Sequence, residues 1–267
     1  MQIVSVTSVM PATSSIPSQL VDAMRAARVV AALTGAGVSA ESGVPTFRDA
    51  QTGLWSKFNP LELATPSAFA RNPKLVWDWY AMRREMVGTV QPNAAHRALA
   101  SLEQAVGEFA LITQNVDGLH QRAGSRNVVE LHGNITRVKC SRDGDAVLQW
   151  DESSDGDPPR CPRCGAWLRP DVVWFEEALP RDALARAENA VRRCDILLVI
   201  GTSAEVYPAA GLPHEVLRRG RIVVEINPDD TPLTSRASYV LRGAAGALLP
   251  QLVTACDLGA LGGRLAC

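Results

Sequence analysis

The chain has 267 residues, 46% of them hydrophobic and 21% charged, with a formal net charge of −1. This is the composition of an ordinary soluble globular protein, long enough for one large domain or for a domain carrying an insertion, and its near-neutral charge supplies no general electrostatic reason to bind nucleic acid or an anionic membrane. No apolar run is long enough to span a bilayer as a helix.

In chain order, residues 1–20 (MQIVSVTSVMPATSSIPSQL) lack the basic start and sustained apolar stretch of a secretory signal and read as a loose arm. An aliphatic run over 29–37 (VVAALTGAG) predicts a strand ending in a glycine turn. Residues 47–90 are aromatic and helical in pattern, with a helix expected over LVWDWYAMRREMVG. A helix follows over 94–106, then a strand over 109–118 (FALITQNVDG). Residues 134–170 hold three cysteines and the acidic run DESSDGD. Helix 181–193, strand 195–203 (DILLVIGTS), helix 209–219 and strand 222–230 (IVVEINPDD) complete the pattern, with a loose tail after about Val253.

Continuous apolar strands alternating with helices predict an open α/β fold, a doubly wound Rossmann-like parallel sheet. The two stretches outside that pattern predict a smaller inserted lobe, a helical module plus a zinc-ribbon-like module. The expected division is an arm over 1–20, a Rossmann-like domain from 21–46, 91–133 and 171–255, a cofactor loop and helical module over 47–90, a zinc-ribbon-like module over 134–170, and a tail over 256–267. In such sheets ligands bind beyond the carboxyl ends of the strands. Here those ends carry Gly-Ala-Gly, Gln-Asn-x-Asp, Gly-Thr-Ser and Asn-Pro-Asp, which should converge on one crevice.

The first of these turns, Gly35 to Ala40, matches the dinucleotide fingerprint G-x-G-x-x-G/A, in which glycines let the backbone approach a pyrophosphate. A dehydrogenase would continue into a helix and a second strand ending in an acidic residue for the ribose. Instead Ser42, Gly43 and Pro45 break any helix early, and Thr46-Phe47-Arg48-Asp49 enters a long loop. Hydride transfer is disfavoured, while binding of a dinucleotide for some other use of the nicotinamide survives.

Of the six cysteines, Cys140, Cys161 and Cys164 surround one segment and Cys194, Cys256 and Cys267 stand singly. That is a metal-site pattern more than a disulfide framework and suits the reducing cytoplasm. Cys161 and Cys164 have C-x2-C spacing, but the position three after Cys140 is Asp143.

Five ordered motifs then identify a resemblance. Gly35-Ala36-Gly37-Val38-Ser39 with Ser42-Gly43-Val44-Pro45-Thr46-Phe47-Arg48, Thr113-Gln114-Asn115-Val116-Asp117-Gly118-Leu119-His120, Leu131-His132-Gly133, Gly201-Thr202-Ser203 and Ile226-Asn227 are similar to those of the sirtuins, NAD-dependent protein lysine deacylases. The likeness spans roughly residues 23–252. It implies acyl transfer from lysine to NAD, giving nicotinamide, O-acyl-ADP-ribose and bare lysine, with His132 as general base through the ribose hydroxyls; imidazole titrates in the right range for that task. Gln114, Asn115 and Asp117 would hold the nicotinamide ribose and carboxamide. Asn115 and Asp117 would join His132 in catalysis, the carboxylate stabilising developing positive charge. Gly35, Ala36, Gly37, Phe47 and Arg48 would form the cofactor loop region. Gly201, Thr202 and Ser203 would approach the phosphates, and Asn227 the adenosine ribose.

The resemblance extends to the acyl group. Tyr80 and Arg83, three residues apart on one helix face, resemble the pair in the branch that removes succinyl, malonyl or glutaryl groups, with Arg83 binding the distal carboxylate and Tyr80 hydrogen-bonding it. Thr46, where many sirtuins carry aspartate, also occurs in that branch. Val172, Val173 and Phe175 would line the lysine channel, and Glu176, where the family commonly has glycine, would favour basic flanking sequence. By the family pattern Cys140, Cys161 and Cys164 supply three ligands to a structural zinc and Asp143 stands at the fourth. A Cys3Asp site, a weak or water-completed site and a metal-free lobe all remain open. The implied cofactors are NAD and structural zinc, and the implied partners are acyl-lysine proteins or peptides, with no nucleic acid, no membrane and a monomeric assembly. Protein mono-ADP-ribosyl transfer and non-catalytic binding of NAD or ADP-ribose are the alternatives, the latter weakened by the presence of both His132 and Asn115.

Overall fold

The computed structural model describes residues 16–45, 59, 63–150 and 157–257. Thr46, Phe47 and Arg48 lie outside the described residues, as do 151–156 of the acidic run. The strands in chain order are β1 (Val29–Thr34), β2 (Glu108–Thr113), β3 (Val128–Glu130), β4 (Gly133–Cys140), β5 (Ala146–Val147), β6 (Leu168–Val172), β7 (Ile196–Ile200), β8 (Ile222–Asn227) and β9 (Tyr239–Arg242). Six of them form one parallel sheet in the order β3-β2-β1-β7-β8-β9.

The four strands expected from the apolar runs are the sheet's interior, and the reason is burial on both faces. All five residues of β7 are buried, as are the last five of β1. Alternation would be wrong for such strands, because each side chain meets a helix on its own side. β3 and β9 are edges of three and four residues, too short to announce themselves by periodicity.

The helices are α1 (Ser18–Ala26), α2 (Gly37–Ala40), α3 (Pro66–Arg71), α4 (Pro73–Thr89), α5 (Ala94–Ala105), α6 (Leu119–Arg122), α7 (Arg181–Arg193), α8 (Leu212–Arg218) and α9 (Ala245–Ala255). On one face of the sheet α1, α5 and α9 bury Leu20, Leu99 and Leu249 against Val30, Leu111 and Val224. Fully burying each such side chain stabilises the fold by about 1.5–3 kcal/mol. The opposite face is covered by α7 and α8 through Val191 and Val216. Helix α1 begins inside the expected arm, and Cys256, in the expected tail, is buried in the first of these cores. The helix expected over 209–219 divides into a 3-10 turn, Ala209–Gly211, and α8, which opens with Pro213 in its first turn; proline lacks the N–H an earlier turn would need.

The smaller lobe has two parts. Helices α3 and α4 start at Thr65 and Asn72, whose side chains accept from Ala68 N and Leu75 N at 3.1 and 3.0 Å, each followed by proline at the first helical position. Their apolar faces gather Phe69, Val76, Trp79, Tyr80, Ile135 and Trp174. The second part is an antiparallel sheet, β5-β4-β6, over Trp77, Val138, Cys140, Cys161 and Leu168. β4 leaves the large sheet at Gly133, whose φ is +79° and where a Cβ would overlap the Asp171 carbonyl. Only glycine fits that position, and it fixes the direction of His132 immediately before it. Among the described residues no helix is long and apolar enough to cross a membrane.

Candidate active site

β1 and β7 are neighbours, yet the chain runs outward from them in opposite directions, so their carboxyl ends form the switch-point crevice of the sheet. Gly35 N donates to Ile200 O at 3.0 Å and Gly37 N to Gly201 O at 2.8 Å. A Cβ on either Gly35 or Gly37 would stand 2.8 Å from the Gly201–Thr202 backbone, and one on Gly201, at φ +58°, would stand 2.5 Å from Val38 N. The glycines are therefore required twice over. They let the two turns cross, and they leave backbone exposed to a pyrophosphate.

The turn after β2 is tied to both. Gln114 Nε2 donates to Thr202 Oγ1 at 2.9 Å, and Asn115 Nδ2 donates to Gly35 O and to Ser39 Oγ, each at 3.1 Å. Asn227 Nδ2 donates to Thr202 O at 2.9 Å. Gly35, Ala36, Gly37, Gln114, Asn115, Asp117, Gly201, Thr202, Ser203 and Asn227 thus stand on the converging turns at one end of the sheet. Asp117 is buried and accepts from Ser39 Oγ at 2.7 Å and Leu119 N at 2.9 Å. Burial pushes its carboxyl up, and those two bonds and Arg122 pull it back.

His132 reaches the crevice from β3. Its Nδ1 lies 2.9 Å from the Gln114 carbonyl oxygen, which can only accept, so Nδ1 carries the proton and Nε2 keeps a bare lone pair. Burial lowers the His132 pKa, and the Gln114 bond opposes that shift. The ring is neutral near pH 7 with the basic nitrogen free, which is the state a general base needs.

Behind these groups lies a set that the sequence did not single out. His120 Nε2 lies 2.9 Å from Thr34 Oγ1, which donates to Thr113 Oγ1 at 2.8 Å, and Thr113 Oγ1 accepts from Asn115 N at 3.0 Å. His96 Nε2 lies 3.4 Å from Ser39 Oγ, and its Nδ1 lies 3.0 Å from Asn93 Oδ1, the cap of α5. The two rings sit 4.8 Å apart, and both residues are buried. Burial pushes His96 down to about 4 and His120 to about 3, helped by Arg97 and by His96 respectively. The available signal was that the chain has only four histidines, of which His120 closes the Thr113–His120 motif and His96 lies between the motifs.

On α4 the Arg83 guanidinium stands 4.9 Å over the Trp79 ring, beside Tyr80. It has no carboxylate partner among the described residues. Burial lowers its pKa, opposed by Tyr80, and burial raises the Tyr80 phenol to about 12. The Tyr80 oxygen accepts from Trp174 Nε1 at 3.0 Å. Trp174 stands two residues beyond the end of β6, in the segment of Val172, Val173 and Phe175. Val172 is buried, Val173 N donates to His132 O, Phe175 N donates to Ala64 O, and the Phe175 ring is 40% exposed. Glu176 is exposed at φ +72°, a left-handed conformation that glycine adopts without strain.

In the small sheet the sulfurs of Cys140, Cys161 and Cys164 lie within 4.8 Å of one another, with Cys140 and Cys164 3.5 Å apart. Three convergent thiols fit zinc by geometry and softness. The Arg163 N–H, with that of Cys164, draws the Cys161 thiol down to about 7. Asp143 is not in the group of convergent ligand atoms; its carboxylate accepts from Asp145 N at 2.9 Å and pairs with Arg163 at 3.4 Å. At the far ends of the strands a concavity of about 530 Å³ is lined by Ala27, Arg28, Asp195 and Arg221. Its one carboxylate, Asp195, is spent on Arg28 N, Val29 N and Arg221, so it joins chain segments and carries no free chemistry.

The family model described as the Sir2 family matches residues 35–208. An NAD-dependent protein deacylase of Aquifex aeolicus is 53% identical over 223 residues, covering 84% of this chain and 93% of that protein. Among solved structures, a Sir2 homolog in complex with NAD superimposes with a TM-score of 0.86 at 50% identity, covering 91% of this chain and 95% of that one. A mutant Sir2 homologue in complex with 2′-O-acetyl-ADP-ribose gives 0.85 at 49% identity, covering 94% and 100%.

Proposed function

The chain belongs to the Sir2 family and is an NAD-dependent protein deacylase, and from that premise we propose that it removes succinyl or malonyl groups from protein lysines in preference to acetyl. The observation that carries the preference is Arg83: a half-buried guanidinium over the Trp79 ring, without an anionic partner among the described residues, beside a phenol that stays protonated. An uncompensated cation held partly out of water is costly, and a ligand carboxylate offsets that cost. An acetyl group, lacking a carboxylate, leaves Arg83 uncompensated. It remains a poorer substrate, not an excluded one.

When bound, NAD would supply the acyl acceptor, the ribose carbon that carries nicotinamide, with nicotinamide as the leaving group. Asn115 and Gln114 orient the amide and ribose at the crossing of the glycine turns, and Asp117 holds negative charge against the developing positive centre. His132 takes a proton at Nε2 while its Nδ1–H remains on the Gln114 carbonyl, so the ring cannot rotate away from its task. Gly35, Ala36 and Gly37, with Gly201, Thr202 and Ser203, receive the diphosphate, and Asn227 the adenosine ribose; by the family motif Phe47 and Arg48, which lie outside the described residues, belong to the same cofactor site. Val172, Val173 and Phe175 line the path of the lysine, and the exposed Glu176 carboxylate favours basic residues beside it. Cys140, Cys161 and Cys164 hold a structural zinc, with Asp143 as fourth ligand once released from Arg163, and the free thiols suit a cytoplasmic protein. The helical module and the cysteine module together form the small lobe beside a Rossmann-like domain.

The test is a side-by-side turnover assay of succinyl-lysine and acetyl-lysine peptides of one sequence, with products identified by mass and zinc measured on the same preparation. Faster succinyl turnover with O-acyl-ADP-ribose as product is the expected outcome. Equal or faster acetyl turnover sinks the acyl preference, and label on protein without bare lysine indicates ADP-ribosyl transfer.

A further inference from the structure

We infer that Trp174 is a positioning residue for acyl selection: its indole N–H occupies the Tyr80 oxygen and so commits the phenol's own proton to the acyl carboxylate. The inference rests on the carboxylate preference proposed above and adds to it a residue outside the Tyr80–Arg83 pair.

The argument is one of hydrogen-bond accounting. An indole N–H donates and cannot accept, so the 3.0 Å contact makes the Tyr80 oxygen the acceptor. The phenol proton cannot return to Trp174, and among the described residues no acceptor stands for it. Trp174 is 2% exposed and Tyr80 3%, so bulk water does not serve them freely. A buried phenol with one lone pair engaged and its proton unspent, beside a guanidinium with no anion among the described residues, presents two donors to one acceptor of negative charge.

The indole is itself held rigidly, which is what a positioning role requires. Arg169 lies with its guanidinium carbon 3.2 Å from the Trp174 ring and grips Glu177 with two bonds of 2.6 and 2.9 Å. Glu177 Oε2 also accepts from Trp174 N at 2.8 Å, and Phe69 packs on the indole with ring centroids 5.3 Å apart. The ring is clamped from its backbone, its face and its edge. Its N–H direction is therefore fixed before any substrate enters.

Trp174→Phe keeps an aromatic ring and deletes the donor together with part of the indole's volume, and the Tyr80→Phe background separates the two effects. The expected result is a fall of about three- to tenfold in the ratio of succinyl to acetyl kcat/KM, the range for one hydrogen bond. In a Tyr80→Phe background the same change should leave that ratio where Tyr80→Phe alone sets it. A ratio unmoved by Trp174→Phe, in an enzyme that prefers succinyl and loses that preference in Tyr80→Phe, overturns this inference and leaves the preference standing. An equal fall in both backgrounds also overturns it, because the effect is then packing. A wild-type enzyme with no succinyl preference overturns both. If Trp174→Phe does not fold, the indole N–H resonance of Trp174 in the intact protein decides: it should shift with succinyl-lysine peptide and stay with acetyl-lysine peptide, and an equal response to both refutes the role.

Discussion

The crevice around Asn115 and the neighbourhood of Tyr80 and Arg83 both set polar groups at least half out of solvent, but they spend their hydrogen bonds differently. Behind Asn115 the amide, Ser39, Asp117, Thr34 and Thr113 are engaged with one another, down to two neutral histidines. Around Tyr80 and Arg83 the donors outnumber the acceptors among the described residues. A network bonded mostly within itself, as this one is although His120 Nδ1 has no hydrogen-bond partner among the described residues, holds its geometry whatever binds, which suits chemistry common to all substrates; one with spare donors gains energy only from the ligand that completes it, which suits selection.

The sharpest way to break this comparison is His132→Ala. It should lower turnover of every acyl substrate by about 10²–10⁴-fold while NAD binding, followed by calorimetry, persists. Turnover close to wild type would remove His132 from the mechanism. Next in size, Arg83→Met should lower kcat/KM for succinyl-lysine by about tenfold or more relative to acetyl-lysine, mostly through KM. Proportional losses on both substrates would mean that Arg83 supports the fold and reads no carboxylate.

The histidine pair gives a pH test of the crevice side. His96 and His120 titrate at about 4 and about 3 in the folded chain, below their ordinary value, so the unfolded chain takes up protons first as pH falls. Their contribution to stability is whole above about pH 6.5 and declines below it by about 1.4 kcal/mol per pH unit for each histidine, until the folded chain also protonates. Asp117, raised by burial, acts in the opposite sense at the acid end. Denaturant melts at pH 7, 6 and 5 should show the decline, and a flat profile would mean that the pair is charged in place. The smallest effect is expected at Glu176. Releasing its left-handed backbone by Glu176→Gly should stabilise the protein by about 1 kcal/mol, seen as a higher Tm, while reducing any preference for basic flanking residues. An unchanged or lower Tm would mean that the Glu176 side chain makes contacts that outweigh its backbone strain.

The apolar runs over 29–37, 109–118, 195–203 and 222–230 made the four inner strands legible, because burial on both faces favours aliphatic side chains and admits a polar one only where it is hydrogen-bonded, as Thr34, Thr113 and Glu225 are. The glycine turns were legible for a related reason: Gly35, Gly37 and Gly201 stand where any side chain would strike backbone. The edge strands β3 and β9 were not, since a few half-paired residues leave no pattern. Nor was the orientation of Asp143. Its spacing from Cys140 suits a ligand, but its carboxylate is taken by Asp145 N and Arg163, the latter 20 residues away in the chain.

By itself, then, the sequence determined the parallel sheet and the family, and it located the turns that converge at the switch point of the sheet, because each depends on local pattern or on motifs that sit at strand ends. Only the tertiary structure decided which proton His132 carries, that Arg83 faces no carboxylate among the described residues, and that Trp174 commits Tyr80 as a donor. Those are properties of pairs distant in the chain, 18 residues apart for His132 and Gln114 and 94 for Trp174 and Tyr80, and hydrogen bonds are directional. No spacing rule along one chain encodes their direction; the fold does, by bringing a carbonyl to one ring and an indole to the other.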